Sequence, residues 1–231
     1  MSRSKNDDVR GVNAPGVRPA PGALPSDLRA RAPQDVRRAV VAELERMERA
    51  EDVRVLLAVE SGSRAWGFAS PIVYAEDPAF AVVRELAADC FSPVASAHHY
   101  LSMGRNHLAA LAGETVRLKK CLYTMRAILA ARWVVAERAP APMLLRDLVD
   151  AGLEEPMRGL AAELLEAKTA GGERGELPRI AALNAWAAGA LAQVTGALAD
   201  VEPPVPAPWE RLDEAFLALV GPAAWRGRTG V

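Results

Sequence analysis

Val53-Arg54-Val55-Leu56-Leu57-Ala58-Val59-Glu60 is an apolar, β-branched run with the pattern of a strand buried inside a sheet, and it stands alone in the sequence. A lone strand has rows of amides and carbonyls without partners, which a buried sheet cannot tolerate. Three outcomes satisfy those groups: pairing with Ile72-Val73-Tyr74 as a minimal ribbon, lying on helices as extended coil, or pairing with another copy of the chain. Everything else favours helix. Aromatic residues make up only 5% of the chain, and Ala and Leu, which lose little on entering a helix, abound. The fold class expected is α+β, predominantly α.

The 231 residues divide by composition. Residues 1 to 32 mix Arg, Pro, Gly and Ala without apolar periodicity and read as a disordered tail. From Pro33 to Ala50, Val36, Val40, Leu44 and Met47 recur at three- and four-residue steps, marking an amphipathic helix that leads into the strand. Residues 33 to 71 thus form one unit of helix, strand and glycine turn. Residues 72 to 200 read as a helical unit, with helices near 78 to 89, 93 to 112, 115 to 137, 143 to 150, 154 to 168 and 177 to 199. Residues 201 to 208 are a Pro-rich linker to a short last helix near 209 to 220.

Several function classes are excluded on composition. Lys and Arg total 28 against 29 Asp and Glu, so bulk charge supports neither a nucleic-acid coat nor a membrane-surface protein. Cys90 and Cys121 stand far apart without a Cys-x-x-Cys or Cys/His set, which excludes a disulfide scaffold and a zinc knuckle. Ile180 to Ala199 is poor in charge, but Asn184, Gln193, Thr195 and its Ala content make it too weakly apolar to span a membrane. The N-terminus reads as free of a secretory signal, giving a cytoplasmic expectation.

The chemistry-bearing feature is the turn after the strand. Ser61-Gly62-Ser63 offers exposed amides and two hydroxyls at a sheet edge, with a glycine that lets backbone approach a ligand closely. Arg64 adds a charge suited to phosphate, and Trp66 a flat surface. Ordinary strand-to-loop turns use the same residues, so the turn alone is weak evidence. The longer string Leu56 to Pro71 is more specific. With Ser70-Pro71-Ile72-Val73-Tyr74, His99-Tyr100-Leu101-Ser102-Met103, Arg117-Leu118-Lys119-Lys120-Cys121-Leu122-Tyr123, Arg126 and Ala131-Arg132-Trp133, it resembles a family of bacterial and phage nucleotidyltransferases (YcgL-like) in the DNA polymerase β superfamily.

The resemblance covers residues 36 to 170 or so and implies a mixed palm sheet. Gly62 and Ser63 match the family's nucleotide-binding pair, and Mg2+ with a nucleoside triphosphate is the implied cofactor set. Family members follow Gly-Phe-Ala-Ser-Pro with an Asp-x-Asp motif that binds two divalent ions, because only hard carboxylate oxygens hold magnesium properly. Here that motif has no counterpart. Ser70-Pro71 serves as the end of one family string and the start of the next, as an internal deletion between two Ser-Pro copies would leave it. The expectation is therefore no catalytic residue and no metal site. Glu76 and Asp77 are adjacent, face opposite ways on a strand, and precede Pro78, which makes them helix caps rather than replacements. Glu60 reads as structural.

Four basic residues remain as candidate phosphate contacts. On the helix 115 to 137, Arg132 falls within the apolar face, and Lys119 and Arg126 line its border. On the preceding helix Arg105, with His98, projects among Val94, Leu101, Leu108 and Ala112. One reading is a basic wall facing Ser63 that meets a nucleotide phosphate or an RNA backbone. The other is an internal ion-pair network with Glu60, Asp89 or Glu137, or snorkelling at the stripe's edge. Three functional readings follow: an impaired member of the nucleotidyltransferase family, an interaction module whose helical half docks on a full-length relative or another partner, and a truncated gene product without function; the unpaired strand also offers a route to self-association.

Overall fold

The computed structural model describes residues 34–60, 73–169, 175–202 and 209–221. The first helix, α1 (Gln34–Glu51), begins with Asp35 in its first turn and ends with Arg49 in its last, each sign complementing the helix dipole. Its apolar stripe is only half covered, and no residue of α1 is buried.

Strands β1 (Leu57–Val59) and β2 (Val73–Glu76) pair antiparallel, with Leu57 opposite Glu76, Ala58 opposite Ala75 and Val59 opposite Val73. The lone strand thus takes the first of its three outcomes, a minimal ribbon. The register slips between Ala58 and Val59. Ladder bonds are few, and side chains supplement them. Arg37 of α1 donates to the carbonyls of Val73 (2.9 Å) and Tyr74 (3.4 Å), and Glu48 accepts from the amide of Val55 (2.7 Å). The ribbon is clamped to α1 by these bonds.

After the ribbon comes a 3-10 turn (Pro78–Phe80), then α2 (Ala81–Asp89) and α3 (Pro93–Ala109). Ser92 caps α3 by accepting from the amide of Ala95 (3.1 Å), with Pro93 in the first turn where its missing N–H costs nothing. The longest helix is α4 (Leu118–Glu137), followed by α5 (Leu145–Asp150), α6 (Met157–Thr169), α7 (Ala181–Leu198) and α8 (Trp209–Val220). Among the described residues no helix is long and apolar enough to cross a membrane.

Two apolar clusters hold the helices together. One joins α4, α5, α6 and the start of α7 around Met125, Leu129, Leu148 and Leu183. The other joins α3, α4 and α7 around Leu101, Ile128, Val134 and Leu191. Complete burial of each such side chain stabilises the fold by about 1.5–3 kcal/mol. Neither cluster takes in a residue before Phe91.

Two of the expected helices start late. Residues 115 and 177 were expected inside helices, yet Thr115–Arg117 (β3) and Glu176–Pro178 (β4) pair as a second antiparallel ribbon, with Val116 opposite Leu177. Val116 is buried against the first cluster. Pro178, which cannot continue a helix, marks where the chain leaves the ribbon for α7.

Candidate nucleotide site

The glycine turn joins the two strands of the first ribbon. Gly62, Ser63 and Arg64 lie outside the described residues, but the residues on either side of that span are fixed. Val59 and Val73 face each other across the ladder, and the Tyr74 hydroxyl donates to Glu60 Oε2 at 2.7 Å. Glu60 is therefore a structural acceptor, as its place before the turn suggested.

The acids that follow are spoken for. Asp77 caps the 3-10 turn, accepting from the amide of Ala79 at 2.8 Å, and its carboxylate is gripped by Arg54, whose Nε donates to Oδ2 at 2.7 Å. The Arg54 guanidinium holds the Asp77 carboxyl below the usual carboxylate range, against the opposing effect of burial, and the Ala79 amide adds a smaller pull in the same direction as Arg54. Glu76 is ion-paired with Arg84, and its side chain is only 6% exposed. Both carboxylates already neutralise arginines, so a magnesium ion at either would have to displace or share that partner. Among the described residues no group of three or more His, Cys, Asp or Glu is placed to hold a metal ion. The described residues do not fit the two-metal centre that the resemblance implies.

The four candidate phosphate contacts do not converge. Arg126, expected at the border of an apolar face, is 5% exposed inside the helical core. Its Nε donates to the Met143 carbonyl at 3.2 Å, and the Tyr100 and Tyr123 phenols flank the guanidinium. Burial holds Arg126 below arginine's ordinary range, and the phenols act in the opposite direction. Lys119 lies exposed one turn before Tyr123, its Nζ 5.3 Å from the ring centroid. Arg105 and His98 are exposed rather than inward-facing, and Arg105 donates to Thr195 Oγ1 on α7 at 3.0 Å. The helix rotates away from that projection because Ala97, Leu101 and Gly104 form the contact face of α3. Arg132 is half-buried and faces a different groove, between α4 and α5. Asp89, a candidate partner for this wall, pairs instead with Arg211 of α8 at 2.9 Å.

The residues that sequence reasoning missed are aromatic. Tyr100 and Tyr123 reach Arg126 from two helices, and their rings also meet His99 (5.4 Å) and His107 (5.7 Å). His107 is half-buried. Its imidazole sits below the ordinary histidine value, chiefly through burial and secondarily through Lys120. Both tyrosines lay in the strings that carry the resemblance. Periodicity gave no sign that their hydroxyls turn inward.

Comparison with known proteins supplies what the geometry leaves open. The model of the RNA repair pathway DNA polymerase beta family matches residues 36–71 and 69–218, which together are most of the chain. The chain belongs to this family. Its two matched segments share residues 69–71. An uncharacterized protein of Bacillus subtilis (strain 168), YcgL, is 27% identical over 202 residues, a region taking in 58% of this chain and 77% of that relative. Since 58% of 231 residues is about 134, roughly 70 of those 202 positions have no counterpart here. No solved structure matches.

Proposed function

We propose that this chain is a nucleotidyltransferase-family protein that no longer transfers nucleotides, because an internal deletion fused two Ser-Pro strings and removed the strands that carried the metal-binding acids. The observation that carries this reading is the split family match, whose two segments meet at Ala69-Ser70-Pro71. The surplus of roughly 70 positions in the Bacillus subtilis relative supports it. Nowhere in the 231 residues do two aspartates stand two apart. The ancestral activity is transfer of a nucleoside monophosphate from a triphosphate to a hydroxyl, with RNA as a candidate acceptor given the family's description.

Residual nucleotide affinity then rests on Gly62, Ser63 and Arg64, whose backbone amides and guanidinium suit phosphate oxygens with or without a metal. Lys119, as an exposed cation, is the remaining helical candidate. Titration with ATP, GTP, CTP and UTP, with and without magnesium, tests the site. The expected result is weak binding that magnesium does little to strengthen and that a Ser63→Ala, Arg64→Ala double variant weakens; unaltered affinity in that variant rejects the turn. Reading the genomic DNA across codons 66 to 76 tests the deletion, and recovery of an Asp-x-Asp segment there would restore the enzyme.

A second reading, a helical interaction module, is favoured by α8. Trp209, Phe216 and Leu217 are 68%, 63% and 60% exposed on a helix that buries only Ala215. The mass of the chain in solution separates the two readings, because a module of this kind self-associates or captures a relative, whereas a nucleotide-gripping remnant is monomeric.

A further inference from the structure

Helix α8 is apolar on two neighbouring sides. Leu212, Ala215 and Leu219 form the covered side, with Ala215 buried, and α2 packs against the helix, its Asp89 accepting from Arg211 at 2.9 Å. Trp209, Phe216 and Val220 recur at seven- and four-residue steps and share the next side with Leu217. These four are 68%, 63%, 47% and 60% exposed. Three acids lie along the same open side, Glu210, Asp213 and Glu214, and none is ion-paired among the described residues. The open side is thus apolar and negatively charged at once.

The chain that follows α8 has the matching chemistry. Gly221 ends the helix: its amide donates to the Leu217 carbonyl at 2.8 Å, and a Cβ there would collide with that same oxygen, so only glycine fits. Pro222, which has no N–H, cannot continue the helix. Residues 222–231 therefore leave from the end of the stripe itself. They carry Trp225, Arg226 and Arg228 and no acidic side chain. The order fits as well as the composition. A chain doubling back along α8 meets Val220, Leu217 and Phe216 first and the acids afterwards, and the segment presents Trp225 first and its arginines next. Seven extended residues, Pro222 to Arg228, reach about 23 Å at ~3.3 Å each, and the helix from Val220 back to Glu210 rises only about 15 Å.

We propose that residues 222–231 fold back along the open side of α8 as an intramolecular cover. Trp225 packs on Phe216 and Leu217, while Arg226 and Arg228 pair with Asp213, Glu214 and Glu210. Exposed ion pairs contribute little singly, so the tryptophan supplies most of the attraction and the arginines set the direction. The tether decides between this segment and a second copy. A link of a few residues gives an effective concentration on the order of millimolar, so a contact too weak to hold a separate chain still holds this one. The proposal goes beyond nucleotide binding at the turn, and it bears on the interaction-module reading, since a partner would reach α8 only by displacing the segment.

The test follows the indole signals of the five tryptophans in the 15N-labelled full chain, with Trp209 and Trp225 assigned from Trp209→Phe and Trp225→Phe variants. The Trp225 ring is expected to show cross-relaxation with side-chain protons of Phe216 and Leu217, unchanged on dilution. An Arg226→Glu, Arg228→Glu double variant should lose these contacts, and adding Asp213→Arg and Glu214→Arg should restore them. None of these positions belongs to either apolar cluster, so the variants keep the helical body folded. A Trp225 ring without contact to α8, contacts that fade on dilution and so come from a second copy, or contacts that survive in the double variant would each overturn the proposal. The mass of the chain, measured on the same samples, decides the interaction-module reading independently.

Discussion

Arg126 shows how a cation that looks like a ligand contact on a helical wheel can be a joint in the fold. Its guanidinium ties α4 to the chain segment at Met143, with Tyr100 of α3 beside it, so it bridges pieces far apart in sequence. Replacing it with Met keeps the volume but leaves the Met143 carbonyl without that donor, at a cost of about 1–3 kcal/mol. Urea unfolding of Arg126→Met should show that loss, while nucleotide affinity stays unchanged. His107 carries a pH signature. Its folded value lies below the ordinary one, so the unfolded chain binds the proton more readily, and stability rises with pH across the window just below about 6.5. Acidification through that window should therefore lower the unfolding midpoint, and His107→Gln should flatten this part of the profile relative to the parent. Asp77 acts with the opposite chemistry and the same sign. Its folded value is depressed, so the stability it lends is present above the ordinary carboxylate range and lost as pH falls below it.

At the scale of elements, α4 ends where Arg138 takes the left-handed conformation, φ 54°, with its amide donating to the Val134 carbonyl at 3.1 Å. Glycine adopts that conformation without a Cβ penalty, so Arg138→Gly is expected to raise stability by up to about 1 kcal/mol, read from the denaturant midpoint. The seam of α3, α4 and α7 depends on the reverse property. A Cβ at Gly104 would lie 3.0 Å from Leu191 Cδ2 and 3.3 Å from Ile128 Cγ1. Gly104→Val should therefore destabilise by about 1–3 kcal/mol through overpacking, with a lowered thermal midpoint. Helices were legible in the sequence wherever an apolar stripe met a cap: Ser92-Pro93 opens α3, and the stripe of α1 was plain. The second ribbon was not legible, since three-residue strands such as Thr115-Val116-Arg117 have too few positions for alternation to show. They form because α4 and α7 bring their leading segments side by side. The cap at Asp77 was legible from Pro78 alone, but Glu76, expected as a second cap, closes β2 and pairs with Arg84. The placing of Arg105 was not, because α3 contacts two helices and its contact face is wider than one stripe.

The whole molecule has an uneven distribution of stabilising contacts. The first ribbon has three paired positions and leans on α1, a helix with no buried residue, whereas the helical clusters bury side chains such as Met125, Ile128 and Leu101 completely. Amide hydrogen exchange should report this as faster exchange for residues 57–59 and 73–76 than for α3, α4 and α7; equal protection in a monomer would contradict it. Of the candidate site, the glycine turn was readable only as residues, and it lies outside the described span. The scatter of the basic groups was not readable, since helix rotation and the inward tyrosines depend on packing between elements distant in the chain. That neither apolar cluster takes in a residue before Phe91 has a consequence for how such genes age. A lesion confined to the first ribbon leaves that packing in place, so cellular proteases would still meet a closed helical body, and the protein can persist for whatever its remaining surfaces come to recognise.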